Sequence, residues 1–230
     1  MPRKLEGTQV ISIILTYYKQ PKALDWQLER LESLSALDFE LVLVDDGSED
    51  GVPLERLRRS TLSGKLITLK RDVKWNIPGA RNWGFALASF DKCLTTDLDH
   101  RPTRETLENL VTWGRLRGKA LLFSRRDESG SVMRPHTDSF FLSRDDFWEI
   151  GGYDERFSGA YGQNARDFGF RASLNLELIQ TKLELETDLR FRSDGGSRSI
   201  WSNRLKVAVL DQFPTRRIKR LQENITVARF

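Results

Sequence analysis

The chain has 230 residues, of which 39% are hydrophobic and 16 are glycine, so it is long and apolar enough to bury a sizeable core as one large domain. Cys93 is the only cysteine, which excludes an internal disulfide and favours a reducing, cytoplasmic compartment. The net charge of +4 comes without a basic stripe interleaved with aromatic residues, so the sequence argues against a nucleic-acid partner. The longest apolar run, 10–15, is broken by Ser12 and is shorter than the roughly 20 residues of a membrane span, so we expect neither a span nor an export signal.

The first half of the chain alternates strand patterns with helix patterns. Short apolar, β-branched runs predict buried strands at 10–16, 41–44, 66–69 and 93–96. Amphipathic spacing predicts helices over about 25–37, 79–89 and 103–117, the first of them capped by Asp25. This order predicts an α/β fold, with a doubly wound, mostly parallel sheet flanked by helices over residues 8–125.

The second half has a different rhythm, which predicts mixed elements. Strands are predicted at 120–124 and 138–142, and half-exposed alternation predicts another over 183–191. Ser143 is predicted to open a short helix with Asp146 in a capping box, and a longer helix is predicted over 164–176. We therefore predict one domain over 1–230, with the doubly wound half at 8–125, mixed elements at 126–200 and a helical basic tail at 201–230.

Polar residues follow the predicted parallel strands, at the sheet edge where ligands of such folds bind. Thr16 and Tyr17 end the first strand, and Asp45 and Asp46 follow the second. Asp97 and Asp99 follow the fourth, and carboxylates of this kind suit Mg²⁺ or Mn²⁺, which bridge the oxygens of a diphosphate. Aspartates after strands also form turns and helix caps, so each one singly is weak and their convergence carries the argument.

Five motifs in order resemble family 2 glycosyltransferases with the GT-A fold over about residues 8–175; they lie at 10–18, 44–48, 78–84, 97–99 and 151–155. The C-terminal part is also similar to a galactosyltransferase-type segment. The resemblance implies donor contacts for Thr16, Tyr17, Asp45, Asp46, Arg81, Asn82 and Asp97, a Mn²⁺ or Mg²⁺ ion on Asp99, and acceptor contacts for Gly152, Tyr153 and Asp154. It implies metal-dependent, inverting transfer of a sugar from a nucleotide-diphosphate sugar to a glycan or lipid-linked hydroxyl, as in polysaccharide biosynthesis. It also implies that 8–125 is the nucleotide-binding half and 126–200 the acceptor-binding half.

Two departures from the family pattern concern its catalytic groups. The family's Gly-x-Glu-Asp-x-Asp segment holds the general base, and here Asn164 and Ala165 replace the Glu-Asp pair. Asp167 is left as the candidate base, with a surface ion pair to a neighbouring arginine, Arg166 or Arg171, as the alternative. A late histidine of the metal shell is also missing, and Asp194 is its candidate replacement.

Two other functions stay open at the level of sequence. A nucleotidyltransferase needs a similar pocket, although the chain has no Gly-rich, Lys-containing phosphate loop. A catalytically silent sugar- or nucleotide-binding module is favoured by the missing Glu-Asp pair. The basic tail places Ile218, Leu221 and Ile225 on one predicted helical face, which suits docking on the domain itself or peripheral contact with a membrane surface.

Overall fold

The structure is a computed structural model that describes residues 10–191, 203–204, 206 and 225–230. Its strands are β1 (Ile11–Tyr17), β2 (Phe39–Asp45), β3 (Gly64–Leu69), β4 (Lys92–Thr96), β5 (His100–Pro102), β6 (Lys119–Asp127), β7 (Val132–Met133), β8 (Phe140–Ser143), β9 (Glu177–Thr187) and β10 (Ile225–Arg229). Its α-helices are α1 (Pro21–Ser33), α2 (Val52–Arg58), α3 (Ile77–Leu87), α4 (Arg104–Thr112), α5 (Arg144–Glu149) and α6 (Asn164–Asn175). Short 3₁₀ turns lie at Glu155–Phe157 and Leu189–Phe191.

The described strands form one sheet in the order β10-β3-β2-β1-β4-β8-β6-β9-β5, with β7 paired to β6. The neighbours β3, β2, β1 and β4 are parallel, as are β6 and β9, and the other pairings are antiparallel. Strands β1, β2, β3, β4, β6 and β9 therefore run in one direction. This confirms the predicted α/β fold with a mostly parallel sheet and mixed C-terminal elements.

Strand β1 is nearly continuous in apolar residues because both of its faces are covered. Ile13 and Leu15 pack into a core cluster on one face of the sheet, together with α1. Ile14, between them in sequence, packs into a second cluster on the other face, with Phe85 of α3. Successive side chains of a strand point to opposite faces, so a strand buried on both sides needs no polar alternation.

Helices α1 and α4 differ from their predicted bounds. Helix α1 begins at Pro21, so Asp25 lies inside it and does not cap it. Proline suits the first turn of a helix, because that turn has no use for its missing N–H. Helix α4 ends at Thr112, several residues before the predicted end, and begins after Thr103, whose hydroxyl accepts a hydrogen bond from the Thr106 N–H at 3.1 Å.

The second half confirms one local prediction and corrects two. Ser143 caps α5 and accepts a hydrogen bond from the Asp146 N–H at 3.2 Å, as predicted. The strand expected over 183–191 is instead β9, which begins earlier and ends at Thr187. The helical tail is wrong for Ile225–Arg229, which is a strand antiparallel to β3. The other calls on the tail, 215–224, and on Asp194 lie outside the described residues.

In the part of the chain that the structure describes, no helix is both long enough and apolar enough to cross a membrane.

Candidate active site

A cavity of about 740 Å³ lies at the carboxyl ends of three parallel strands. Thr16 near the end of β1, Asp46 after β2 and Asp97 after β4 all line it. The second half of the chain supplies the opposite wall, including Arg125 and His136. Both halves of the chain thus contribute to one cavity, at the sheet edge where the sequence places the ligand.

Four of the predicted site residues line this cavity, namely Thr16, Asp46, Asp97 and Asp99. The others are buried and do not line it: Tyr17, Asp45, Arg81, Asn82, Gly152, Tyr153, Asp154 and Asp167. Their contacts lie within the protein framework around the cavity.

Asp46 is a nearly buried carboxylate at the end of β2. Only 5% of the residue is exposed, and its Oδ1 accepts a hydrogen bond from Asn76 Nδ2 at 2.9 Å. Burial raises the pKa of Asp46 to about 7, and the nearby carboxylate of Asp72 adds to the shift. Asp46 therefore changes charge near neutral pH, and it does so on the wall of the cavity.

Asp97 is held by a buried charge network centred on Arg81. Arg81 is fully buried, and its Nη2 lies 2.5 Å from Asp97 Oδ1 while its Nη1 pairs with the carboxylate of Asp138. The Tyr153 hydroxyl accepts from Arg81 Nη1 at 2.7 Å and donates to Asp138 Oδ1 at 2.6 Å. Burial by itself would raise the pKa of Asp97, but the charges and hydrogen bonds around it, those of Arg81 first among them, together outweigh burial and the pKa is lowered. Arg81 thus orients an ionised Asp97 and does not itself face the cavity.

Asp99 lies two residues further along, with 15% of its side chain exposed, and it also lines the cavity. Its Oδ1 lies 2.6 Å from His100 Nδ1. Within the described residues no three His, Cys, Asp or Glu side chains are grouped to hold a metal ion. One or two carboxylates nevertheless fit Mg²⁺ or Mn²⁺, because such ions take their remaining ligands from substrate phosphates and water.

The two histidines of the chain stack on each other beside these carboxylates, with ring centroids 4.0 Å apart. The Nδ1 of His136 lies 2.8 Å from the Ser139 hydroxyl, and its Nε2 lies 3.5 Å from Asp97 Oδ2. Burial lowers the pKa of His136 to about 3, so the imidazole is uncharged at neutral pH.

The predicted acceptor motif at 151–155 packs against α3 and is not open to the cavity. Asn82 Nδ2 donates to the Tyr153 carbonyl and to Glu155 Oε1, at 2.9 and 2.8 Å. Gly152 has a φ of +68°, and a Cβ there would lie 2.8 Å from Asn82 Oδ1. Asp154 is 1% exposed and pairs with Arg156 at 2.6 Å. In this structure the contacts of Gly152 and Tyr153 with Asn82 hold this motif against α3.

Tyr17 and Asp45 also serve the framework. The Tyr17 side chain is fully buried, and its hydroxyl donates to Asp50 Oδ2 at 2.8 Å. Asp45 Oδ1 accepts from the Ser48 N–H at 3.0 Å, the contact of an aspartate that forms a turn. Neither side chain lines the cavity, and the donor contacts expected for both residues stay a prediction.

Asp167 forms an ion pair with Arg171, which was the alternative to its role as base, but the pair is buried and not on the surface. Both partners are buried, with 0% of Asp167 and 1% of Arg171 exposed. Arg171 Nη2 lies 2.8 Å from Asp167 Oδ2, one helical turn away on α6. Nearby Asn164, one of the two replacements in the family's base segment, donates through Nδ2 to Asp138 Oδ2 at 3.2 Å. The structure does not bring Asp167 to the cavity.

Several cavity residues were not identified from the sequence. Arg125 of β6, His136, Tyr161 and Thr187 of β9 all line the cavity. They come from remote parts of the chain, and no local pattern in a single sequence joins them to the strand ends of the first half. The basic side chains of Lys74 and Arg125 face the same space as the aspartates, which suits a ligand that carries both negative charge and hydrogen-bond donors.

The comparisons with known proteins agree with this geometry. The family described as "Glycosyl transferase family 2" matches residues 12–180. No curated protein matches the sequence. Among solved structures, Staphylococcus aureus TarS 1-349 in complex with UDP-GlcNAc has a TM-score of 0.67 at 17% identity, over 81% of this chain and 60% of that one. The mannosyltransferase PcManGT from Pyrobaculum calidifontis, in complex with GDP-Man and Mn²⁺, has a TM-score of 0.65 at 17% identity, over 91% of this chain and 65% of that one.

The chain spans less than two thirds of each of these two structures, and the likeness at such low identity concerns the fold. The resemblance to a galactosyltransferase-type C-terminal segment stays a prediction. The family match, in contrast, covers well over half of the sequence and includes the strand ends and aspartates that line the cavity. The chain therefore belongs to glycosyl transferase family 2 and has the fold of a glycosyltransferase.

Proposed function

We propose that the protein transfers a sugar from a nucleotide-diphosphate sugar to a hydroxyl acceptor, with a Mn²⁺ or Mg²⁺ ion held by Asp99. The observation that carries this proposal is the convergence of Asp46, Asp97 and Asp99 on one cavity at the carboxyl ends of β1, β2 and β4. A volume of about 740 Å³ lies within the range of small-molecule sites, roughly 300–1,000 Å³, and accommodates a ligand of this class.

Each group on the wall has a distinct task in this proposal. Ionised Asp46 accepts a hydrogen bond from the nucleoside, and Asp97, oriented by Arg81, accepts from hydroxyls of the ribose or sugar. A divalent ion, when bound on Asp99, neutralises charge that develops on the leaving diphosphate. Lys74 brings a positive charge to the same cavity and favours the same anionic ligand.

Solved structures that share the fold were determined with nucleotide sugars, UDP-GlcNAc for TarS and GDP-Man with Mn²⁺ for the mannosyltransferase. They support a donor of this class and a divalent cation. For the acceptor we propose a glycan or lipid-linked hydroxyl, with inversion at the transferred carbon. We place the reaction in the cytoplasm, since the single cysteine, Cys93, is a buried free thiol.

A nucleotide-sugar-binding module without transfer is a second candidate, and one observation favours it. The carboxylates of the family's base segment are absent at Asn164 and Ala165, and the remaining Asp167 is sealed in an ion pair. Such a module would keep donor affinity and metal dependence but form no product.

The proposed function is tested by thermal unfolding with UDP, GDP and their sugars, each with Mn²⁺ and with a chelator. A ligand at about 100 times its dissociation constant adds about 2.7 kcal/mol of stability, so a true donor raises Tm clearly. Chromatography of the same mixtures then measures transfer or donor hydrolysis. Binding with turnover supports the transferase, binding without turnover the module, and no binding of any nucleotide contradicts both.

The metal assignment is tested by Asp99→Ala. We expect the factor by which Mn²⁺ tightens nucleoside diphosphate binding to fall at least about 10-fold, because loss of a ligand should cost no less than loss of its outer-shell partners. Asp38→Ala is the matched control, since Asp38 is exposed and does not line the cavity. Equal metal dependence in both variants, measured by titration calorimetry, would move the ion away from Asp99.

A further inference from the structure

We propose that His100 and Arg125 are positioning residues that fix the Asp99 carboxylate for a divalent cation. This inference rests on the proposed function, in which Asp99 holds the ion. Each of the two residues acts through one specific hydrogen bond, His100 to Asp99 and Arg125 to His100. His100, although it directly follows Asp99, does not itself bind the metal.

Three side chains form a hydrogen-bonded chain along the cavity wall. His100 Nδ1 lies 2.6 Å from Asp99 Oδ1, and His100 Nε2 lies 2.7 Å from Arg125 Nη1. Arg125 is itself held in place, because its Nε donates to the carbonyl of Arg134 at 2.7 Å. All three members of the chain line the cavity.

The chemistry of arginine determines the proton position on His100. A guanidinium has only donors, so His100 Nε2 must accept the hydrogen bond from Arg125 and carry no proton. In the neutral ring the proton then sits on Nδ1, which donates it to Asp99. Arg125 therefore selects the tautomer in which His100 offers a donor, and not a lone pair, to the carboxylate.

His100 is therefore not a metal ligand in this arrangement. A histidine binds a metal through a nitrogen lone pair, and the only lone pair of this ring points to Arg125. The ring has little freedom to turn, because His100 is 3% exposed, belongs to β5 and stacks on His136. Hydrogen bonds of this kind orient a ligating carboxylate, and their loss typically lowers metal affinity 10–100-fold.

Two isosteric replacements separate the hydrogen bond to Asp99 from that to Arg125. In His100→Asn the amide nitrogen takes the place of Nδ1 and still donates to Asp99. In His100→Gln the amide reaches the place of Nε2, where it meets Arg125 and leaves Asp99 without its donor. The readout is the factor by which Mn²⁺ tightens binding of UDP or GDP, whichever binds the wild type, measured by titration calorimetry.

We expect His100→Asn to keep the wild-type factor and His100→Gln to lose about 10-fold or more of it. Thermal unfolding without metal confirms that both variants are folded. A His100→Gln variant with the wild-type factor, or an equal loss in both variants, would overturn the inference. Absence of any Mn²⁺ effect in the wild type would overturn the metal part of the proposed function as well, so the two failures are distinguishable.

Arg125→Met gives an independent test, because the two explanations for Arg125 predict opposite signs. If Arg125 acted only through its charge, its removal would strengthen binding of a cation nearby. If Arg125 selects the tautomer of His100, Arg125→Met lowers the factor by which Mn²⁺ tightens nucleotide binding. In a protein that already carries His100→Asn, Arg125→Met then leaves that factor unchanged. A loss that persists in the double variant, or a stronger Mn²⁺ effect in the single variant, would overturn the role of Arg125.

Discussion

Among single residues, Asp167 and Arg171 stand out because both members of their ion pair are buried. Asp167→Asn leaves the charge of Arg171 buried without its partner, so we expect a loss of about 3–5 kcal/mol in the free energy of unfolding. We expect turnover per folded molecule to stay near wild type, because Asp167 does not line the cavity. Urea unfolding and an assay well below Tm measure the two quantities.

The matched control for this experiment is Glu55→Gln, which breaks an exposed pair with Arg59 of the same four-residue spacing. An exposed pair contributes about 0.3–0.5 kcal/mol, so that variant should unfold almost like wild type. If Asp167→Asn were instead stable and lost turnover about 100-fold, Asp167 would be the catalytic base after all, reached through a change in conformation.

Asp46 predicts a pH dependence of donor binding. Its pKa is raised from the usual value near 3.8 to about 7 in the folded protein, chiefly by burial. Protonated Asp46 therefore adds to the free energy of unfolding. This contribution is fully present below about pH 4 and is lost as the pH rises through about 7. An ionised Asp46 accepts a hydrogen bond from the nucleoside in the proposed complex, so donor affinity should rise between about pH 6 and pH 8.

Titration calorimetry across this range checks the prediction, and Asp46→Asn is the diagnostic variant. The asparagine has the same shape but does not titrate, so its affinity should be lower and should lose this part of the pH dependence. Affinity that falls with rising pH, and only in the wild type, would mean that protonated Asp46 donates to the ligand instead.

For helices and strands, the features that depend on a few neighbouring residues could be predicted from the sequence. The Ser143 cap of α5 is an example, because its partner Asp146 lies three residues away. The start of α1 was missed since Asp25 resembles a cap, whereas Pro21 at the first turn decides the boundary. The three-residue strand β5 was missed for another reason: it exists through its pairing with β9, far away in sequence.

The contact between α3 and β1 predicts the effect of one methyl group. A Cβ added at Gly84 of α3 would lie 2.4 Å from Ile14 Cγ2 of β1. Helix propensity favours alanine over glycine by about 1 kcal/mol, but overpacking costs about 1–3 kcal/mol, so we expect Gly84→Ala to destabilise the protein. Gly114→Ala is the control, because nothing lies within 4 Å of a Cβ there. A stable Gly84→Ala variant in urea unfolding would contradict this close packing.

At the scale of the whole molecule, the parallel centre of the sheet followed from the apolar runs of β1 to β4, and the cavity followed from the polar residues after them. The framework around the cavity did not. The network of Arg81, Asp97 and Asp138 joins α3, the end of β4 and the chain before β8, and a single sequence gives no signal for ionic contacts between such remote positions. For the same reason the hydrogen bond between Arg81 and the Tyr153 hydroxyl could not be predicted.

The end of the described chain completes the sheet, which gives a prediction at this largest scale. Strand β10 pairs with β3, the edge strand of the parallel centre, and was expected to be helical from its spacing of apolar residues. Ala228 packs against a core cluster, whereas Val227 on the opposite face is 48% exposed. Ala228→Asp forces a charge against apolar surface and should lower the free energy of unfolding by about 1–3 kcal/mol, but Val227→Asp should change it by less than about 0.5 kcal/mol. A helix would not place these neighbours on opposite faces. Equal effects of the two substitutions in urea unfolding would therefore show that β10 does not pair with β3 in solution.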